Sequence, residues 1–173
     1  MTEEGIKFTV YPLPSAMMLQ HDLTPDMVNL LNKYLNKLRI NENKISSGDV
    51  LVGQIYSGEQ LNMDHKCDEL KPFTHLMENL GVQYIEQFVK MTRCGLYPKR
   101  IEMDKLWSVH SYAGDYNPIH DHGTQSLMGI SFTTWTMVPE QIKDNQNMDL
   151  YNSSGAVDGY LNFVYGHNQT IDP

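Results

Sequence analysis

Cysteine, positive charge and long apolar runs are all scarce in this chain, and each scarcity closes off a class of function. The two cysteines, Cys67 and Cys94, lie far apart with no Cys-x-x-Cys spacing, which fits free thiols in a reducing compartment. They are read as packing residues. Thirteen basic side chains against 21 acidic ones leave a formal charge of −8, which repels a phosphate backbone. The basic pairs Lys37 with Arg39 and Lys99 with Arg100 are too small to reverse that, so no nucleic-acid partner is expected. No apolar run approaches the roughly 18 to 20 residues needed to cross a bilayer. The opening Met-Thr-Glu-Glu-Gly is acidic, unlike the basic start of a signal peptide. The expectation is a cytoplasmic protein without a membrane partner. Glycine-rich phosphate loops, a Gly-x-Ser-x-Gly elbow and paired helical carboxylates are also missing, which removes support for phosphoryl transfer, esterase and glycosidase chemistry.

What is present is a chain long enough, at 173 residues, to bury a core as one domain without disulfides or a structural metal. Its first part, about 1–98, reads as mainly helical. Ile6, Phe8 and Val10 alternate with polar residues and stop at Pro12 and Pro14, predicting a first strand. Thr24-Pro25-Asp26 then gives a cap and a proline at the first helical position. Met27, Leu30, Leu31, Tyr34, Leu35 and Leu38 follow as one apolar stripe. From Lys44 to Asp68 the pattern is broken, with one or two short strands. Pro72 opens a second helix whose Phe73, Leu76, Met77, Leu80, Tyr84, Phe88 and Met91 recur at helical spacing up to Gly95 and Pro98. After Pro98 the period changes to 2, predicting strands at Arg100 to Tyr112, Leu127 to Val138 and Tyr160 to Tyr165. The polar stretch from Pro139 to Ser154 is expected to be an exposed loop. The fold class is therefore α+β, with helices first and strands, about 99–173, after.

The most specific chemistry lies in Trp107-Ser-Val-His-Ser-Tyr-Ala-Gly-Asp-Tyr-Asn-Pro-Ile-His-Asp-His-Gly123. On a strand, His120 and His122 project to the same face about 6.5 to 7 Å apart. Two imidazoles so placed can converge on one ion at roughly 2.0 to 2.2 Å, with Asp121 pointing away. The bland alternative is a pair of turn-flanking histidines satisfied by backbone or water. His167, within Gly166-His167-Asn168, is the candidate third ligand, against the reading of a solvated loop residue. Tyr112 and Asn117 carry donors on the wall leading to the pair, placed to hydrogen-bond a co-substrate carboxylate or a metal-bound water. Tyr112 also reads as core and Asn117 as a turn residue. His110 is expected in a cleft wall. Trp107 and Trp135 are expected to pack, and His21, His65 and His75 to be surface or cap residues.

That block, with Met128-Gly-Ile-Ser-Phe-Thr-Thr-Trp135 and the flanking Val52-Gly-Gln-Ile-Tyr-Ser-Gly-Glu-Gln60 and Ser154-Gly-Ala-Val-Asp-Gly-Tyr160, resembles the 2-oxoglutarate/Fe(II)-dependent oxygenases encoded by phages of marine cyanobacteria. The resemblance runs along most of the chain. It implies a double-stranded β-helix (jelly roll, cupin-like) with the N-terminal helices packed on its major sheet. It also implies Fe(II) as cofactor with 2-oxoglutarate as co-substrate, host cytoplasm as the compartment, and hydroxylation of a small molecule or a protein. In that family a His-x-Asp/Glu pair and a distal His hold the iron, and a basic residue holds the keto acid. Here the pair falls on His120 and His122, so the second ligand is an imidazole where the pattern has a carboxylate. The distal His and the basic residue are expected on strands beyond Asp172-Pro173, which leads to the expectation of a domain incomplete at its C-terminus. Exposed sheet edges in such a domain invite pairing with a second copy or a partner chain. A non-catalytic jelly-roll structural or interaction protein stands as the other expectation.

Overall fold

A computed structural model of the protein describes residues 7–13, 16–47, 55–93, 95, 100–117, 129–146 and 161. Chain contacts group it into two compact units, 1–118 and 119–173.

The first unit opens with an antiparallel pair, β1 (Thr9–Leu13) and β2 (Ala16–Gln20), in which Thr9 faces Gln20 and Leu13 faces Ala16. β1 runs later than the alternation predicted and includes Pro12. A two-stranded ribbon leaves each strand one open edge, where proline's missing N–H costs no ladder bond.

α1 (Pro25–Ile40) begins where its sequence signals place it. The Thr24 hydroxyl accepts from the Met27 amide at 3.3 Å, and Pro25 occupies the first turn. Asp26 in the first turn and Lys37 and Arg39 in the last complement the helix dipole. A single turn of 3-10 helix, Asp68–Leu70, leads into α2 (Lys71–Thr92). α2 ends with Arg93 in the left-handed region at φ 55°, a position glycine more commonly fills.

β3 (Glu59–Asn62) and β4 (Trp107–His110) form a second antiparallel pair, with Glu59 opposite His110 and Asn62 opposite Trp107. The other edge of β3 meets 45–47. The Ser47 amide donates to the Gln60 carbonyl at 2.8 Å, and the Asn62 amide to that of Ile45 at 3.0 Å. β4 thus belongs to the β part of the sequence yet pairs inside the unit that holds both long helices.

Leu31 of α1, Met63 just after β3, Leu70 at the end of the 3-10 turn and Phe73 of α2 make a buried core cluster, walled by Met27, Leu30, Tyr34, Leu35, Leu38, Cys67, Met77 and Leu106. The stripe expected on α1 is the one that packs, and Cys67 is a packing residue as expected. The Tyr84 hydroxyl donates to the Met17 carbonyl at 2.9 Å, tying the β1–β2 hairpin to α2.

Four expectations are corrected. The predicted strand at Arg100 to Tyr112 shrinks to the four residues of β4, with 101–106 irregular. The described part of the predicted strand at Leu127 to Val138, residues 129–138, is neither helix nor strand. Alternation marks a face, but a ladder needs a neighbour in register, and β preference depends on that context. In the stretch expected to be loop lies α3 (Glu140–Gln146), bracketed by a Glu140–Lys143 ion pair at 3.0 Å. Pro139 just before it is a helix-start signal that the polar composition hid. Of the predicted strand from Tyr160 to Tyr165, all but Leu161 lies outside the described residues, and Trp107 and Trp135 are 37% and 52% exposed rather than packed.

Among the described residues the architecture is mixed helix and strand with two small antiparallel sheets, compatible with the α+β class. No helix among the described residues is long and apolar enough to cross a membrane.

Candidate functional site

The pairing of β3 with β4 sets Glu59 directly across from His110. Ser108 and His110 share a face of β4, and Ser108 Oγ lies 3.1 Å from His110 Nε2. The ring is half-buried. Its pKa is pushed below the ordinary 6.5 by burial first and by the Arg39 charge second, with Glu59 pulling the other way. The imidazole is therefore neutral near pH 7.

Glu59 is held ionised by its neighbour. Lys44 Nζ lies 2.5 Å from Glu59 Oε1, and this hydrogen bond is the main reason the Glu59 carboxyl sits below its ordinary value. Lys44 also donates to the Arg39 carbonyl at 3.0 Å, closing the C-terminal end of α1 over the site. Arg39 Nη2 donates to the Tyr112 hydroxyl at 2.8 Å. The hydroxyl, having accepted, keeps its own proton for a further acceptor. Arg39 Nε and Glu59 Oε2 are buried without a hydrogen-bond partner.

A tight turn follows β4, with the Asp115 amide donating to the Tyr112 carbonyl at 3.0 Å. Gly114 sits at φ 92°, a backbone region that side chains resist. The Asp115 carboxylate locks the turn. Its Oδ1 accepts from the amides of Tyr56 at 2.8 Å and Ser57 at 3.0 Å, and its Oδ2 from that of Tyr112 at 2.8 Å. These amide donors, Ser57 first, hold the carboxyl below its ordinary range. Gly58 allows the two segments to meet: a Cβ there would collide with the His110 carbonyl oxygen and come within 2.6 Å of Asp115 Oδ2.

Of the residues expected from sequence, Tyr112 is placed in this cluster, with its hydroxyl on Arg39. Asn117 is exposed two residues past the turn. His110 stands on β4 opposite Glu59. His120, His122 and His167 lie outside the described residues. Among the described residues no group of three or more His, Cys, Asp or Glu side chains could hold a metal ion. The described part alone does not fit an iron centre. Sequence reading missed Arg39, Lys44 and Glu59. The signal available was the run of basic residues at 37, 39 and 44 around a predicted helix end, but nothing local announced that Glu59, far along the chain, would face them.

Comparison with family models, with curated proteins and with solved structures gives no match for this chain. The functional reading rests on the residues themselves.

Proposed function

We propose that the chain is a 2-oxoglutarate/Fe(II)-dependent dioxygenase of the double-stranded β-helix (jelly-roll, cupin-like) class. His120 and His122 would serve as two iron ligands and His167 as the third. The observation that carries the reading is the His120-x-His122 pair within the block Trp107 to Gly123, a spacing that on a strand would let two imidazoles converge on one ion. The preceding segment supports it, because β4 and the Gly114 turn supply an ordered lead-in and set Tyr112 beside a guanidinium. In this reading Tyr112 and Asn117 hydrogen-bond the co-substrate. Fe(II) and 2-oxoglutarate, once bound, would supply the oxidising power for hydroxylation with O₂, the keto acid ending as succinate and CO₂. The protein's share is to hold the ion with open positions and to aim the substrate, a small molecule or a protein side chain. The proposed compartment is the cytoplasm, that of the host if the protein is phage-encoded, and a second copy or partner chain would cover open sheet edges.

The test is succinate formation from 2-oxoglutarate under air with Fe(II). Iron-dependent succinate that disappears in His122→Ala is expected. Its absence across a range of iron concentrations, with the protein folded, would remove the catalytic reading.

A second reading has one observation in its favour. Trp107 and Val109 stand on one face of β4 and are 37% and 42% exposed, two neighbouring apolar side chains open to a partner surface. That face suits a non-catalytic jelly-roll structural or interaction protein derived from the same scaffold. A stable assembly with no keto-acid turnover would identify it.

A further inference from the structure

Away from the histidine pair, the C-terminal half of α1 carries a local charge opposite to that of the whole molecule. Between residues 33 and 44 there are four cations, Lys33, Lys37, Arg39 and Lys44, and one acid, Glu42, in a chain whose net charge is −8. The helix dipole accounts for cations in the last turn, but its influence fades within that turn and does not reach Lys33.

Ion pairing sorts the four. Lys37 is matched by Glu69 at 2.8 Å and Lys44 by Glu59 at 2.5 Å. Among the described residues, no acid forms an ion pair with Lys33 or Arg39. Both line an open cleft of about 850 Å³, together with Asn36, Lys37, Ile40 and Glu59. Arg39 is the more constrained of the two. It is half-buried, its Nε is covered and without an acceptor, and its Nη2 is fixed on the Tyr112 hydroxyl. A guanidinium held in this way loses little freedom when its remaining Nη1 group donates to an oxyanion. Asn36 brings an amide donor to the same cleft, and Ile40, 83% exposed, an apolar surface for the body of a small molecule.

We propose that this cleft binds a small organic dianion, a phosphate monoester or a dicarboxylate. Arg39 takes the oxyanion, Lys33 supplies the second positive charge, and Tyr112 acts as a positioning residue for the guanidinium. The inference does not rest on the iron reading: the site is complete without His120 or His122 and needs no metal.

The experiment is titration of the full chain with inorganic phosphate and, separately, with succinate. It is run in EDTA at ionic strength held constant with chloride, followed by calorimetry and by the ¹⁵N signal of the Arg39 Nε–H group. Saturable binding of at least one probe is expected, and which probe binds tighter tells phosphate from dicarboxylate. Arg39→Gln should weaken binding about 10-fold or more, as loss of a charged hydrogen bond does. Lys33→Gln should weaken it about 2- to 5-fold, and Tyr112→Phe about 3- to 5-fold through the loosened guanidinium. His120→Ala should leave it unchanged. If Arg39→Gln fails to fold by thermal melt, the paired change Lys33→Gln with Asn36→Ala on the rim reads the same site, with about 10-fold weakening expected. No saturable binding of either probe, binding untouched by the cleft variants, or binding lost in His120→Ala would overturn the proposal.

Discussion

His110 concentrates the competing forces of the site in one side chain. Burial and the nearby Arg39 charge favour the neutral ring, while Glu59 across the strand pair favours the charged one, and the first two prevail. A group whose folded pKa lies below its unfolded value binds fewer protons when folded. It therefore contributes stability above the unfolded pKa and loses it as pH falls. For His110 the loss begins as pH drops below about 6.5, the ordinary histidine value, with a slope under one proton. Glu59, also lowered, begins to contribute its own loss only below its ordinary 4.5, so the two windows separate. Thermal melts from pH 7.5 to 5 should therefore show a decline in the wild type that is shallower in His110→Gln. Parallel profiles for the two proteins would contradict the half-buried, neutral imidazole. Arg39 and Tyr112 show why such a cluster escapes a reading of the sequence. They are 73 residues apart, and no local pattern says that the end of one helix will cover the turn after a distant strand.

At the scale of elements, the site depends on how closely β3 approaches β4. Gly58 enters β3 where a Cβ would meet the His110 backbone, and a backbone carbonyl cannot swing aside as a flexible side chain can. Gly58→Ala should cost about 1–3 kcal/mol of stability, the usual penalty for overpacking, and should loosen the Asp115 latch. Urea unfolding measures the first, and amide exchange at Tyr56, Ser57 and Tyr112 the second. A neutral substitution would show that the two strands are not held this close. The helices were legible in advance because their signals are local. Thr24-Pro25 caps α1, and the apolar stripes of α1 and α2 recur at helical spacing and supply Leu31, Leu70 neighbours and Phe73 to the core. The strands were less so. Alternation at 100–112 and 127–138 named faces without naming neighbours, and only Trp107–His110, which finds β3, is a strand among the described residues of those two stretches. Tyr112 was anticipated as a donor, but its partner Arg39 was not, since the pairing is a product of tertiary structure.

For the whole molecule, the unit 1–118 provides two long helices, a shared core and an ordered polar cluster around Glu59, His110 and Asp115. The pair itself belongs to the stretch that follows. The central claim, that His120 and His122 bind Fe(II) with 2-oxoglutarate, makes a demand independent of turnover or substrate: the chelated keto acid must colour the iron. The direct measurement is an anaerobic titration of the 173-residue chain with Fe(II) and 2-oxoglutarate, recording the visible charge-transfer band, with His120→Ala alongside. The account predicts a saturable band that needs both iron and keto acid and is lost in the variant. A folded wild-type protein that gives no band, or a band that survives in His120→Ala, would contradict it.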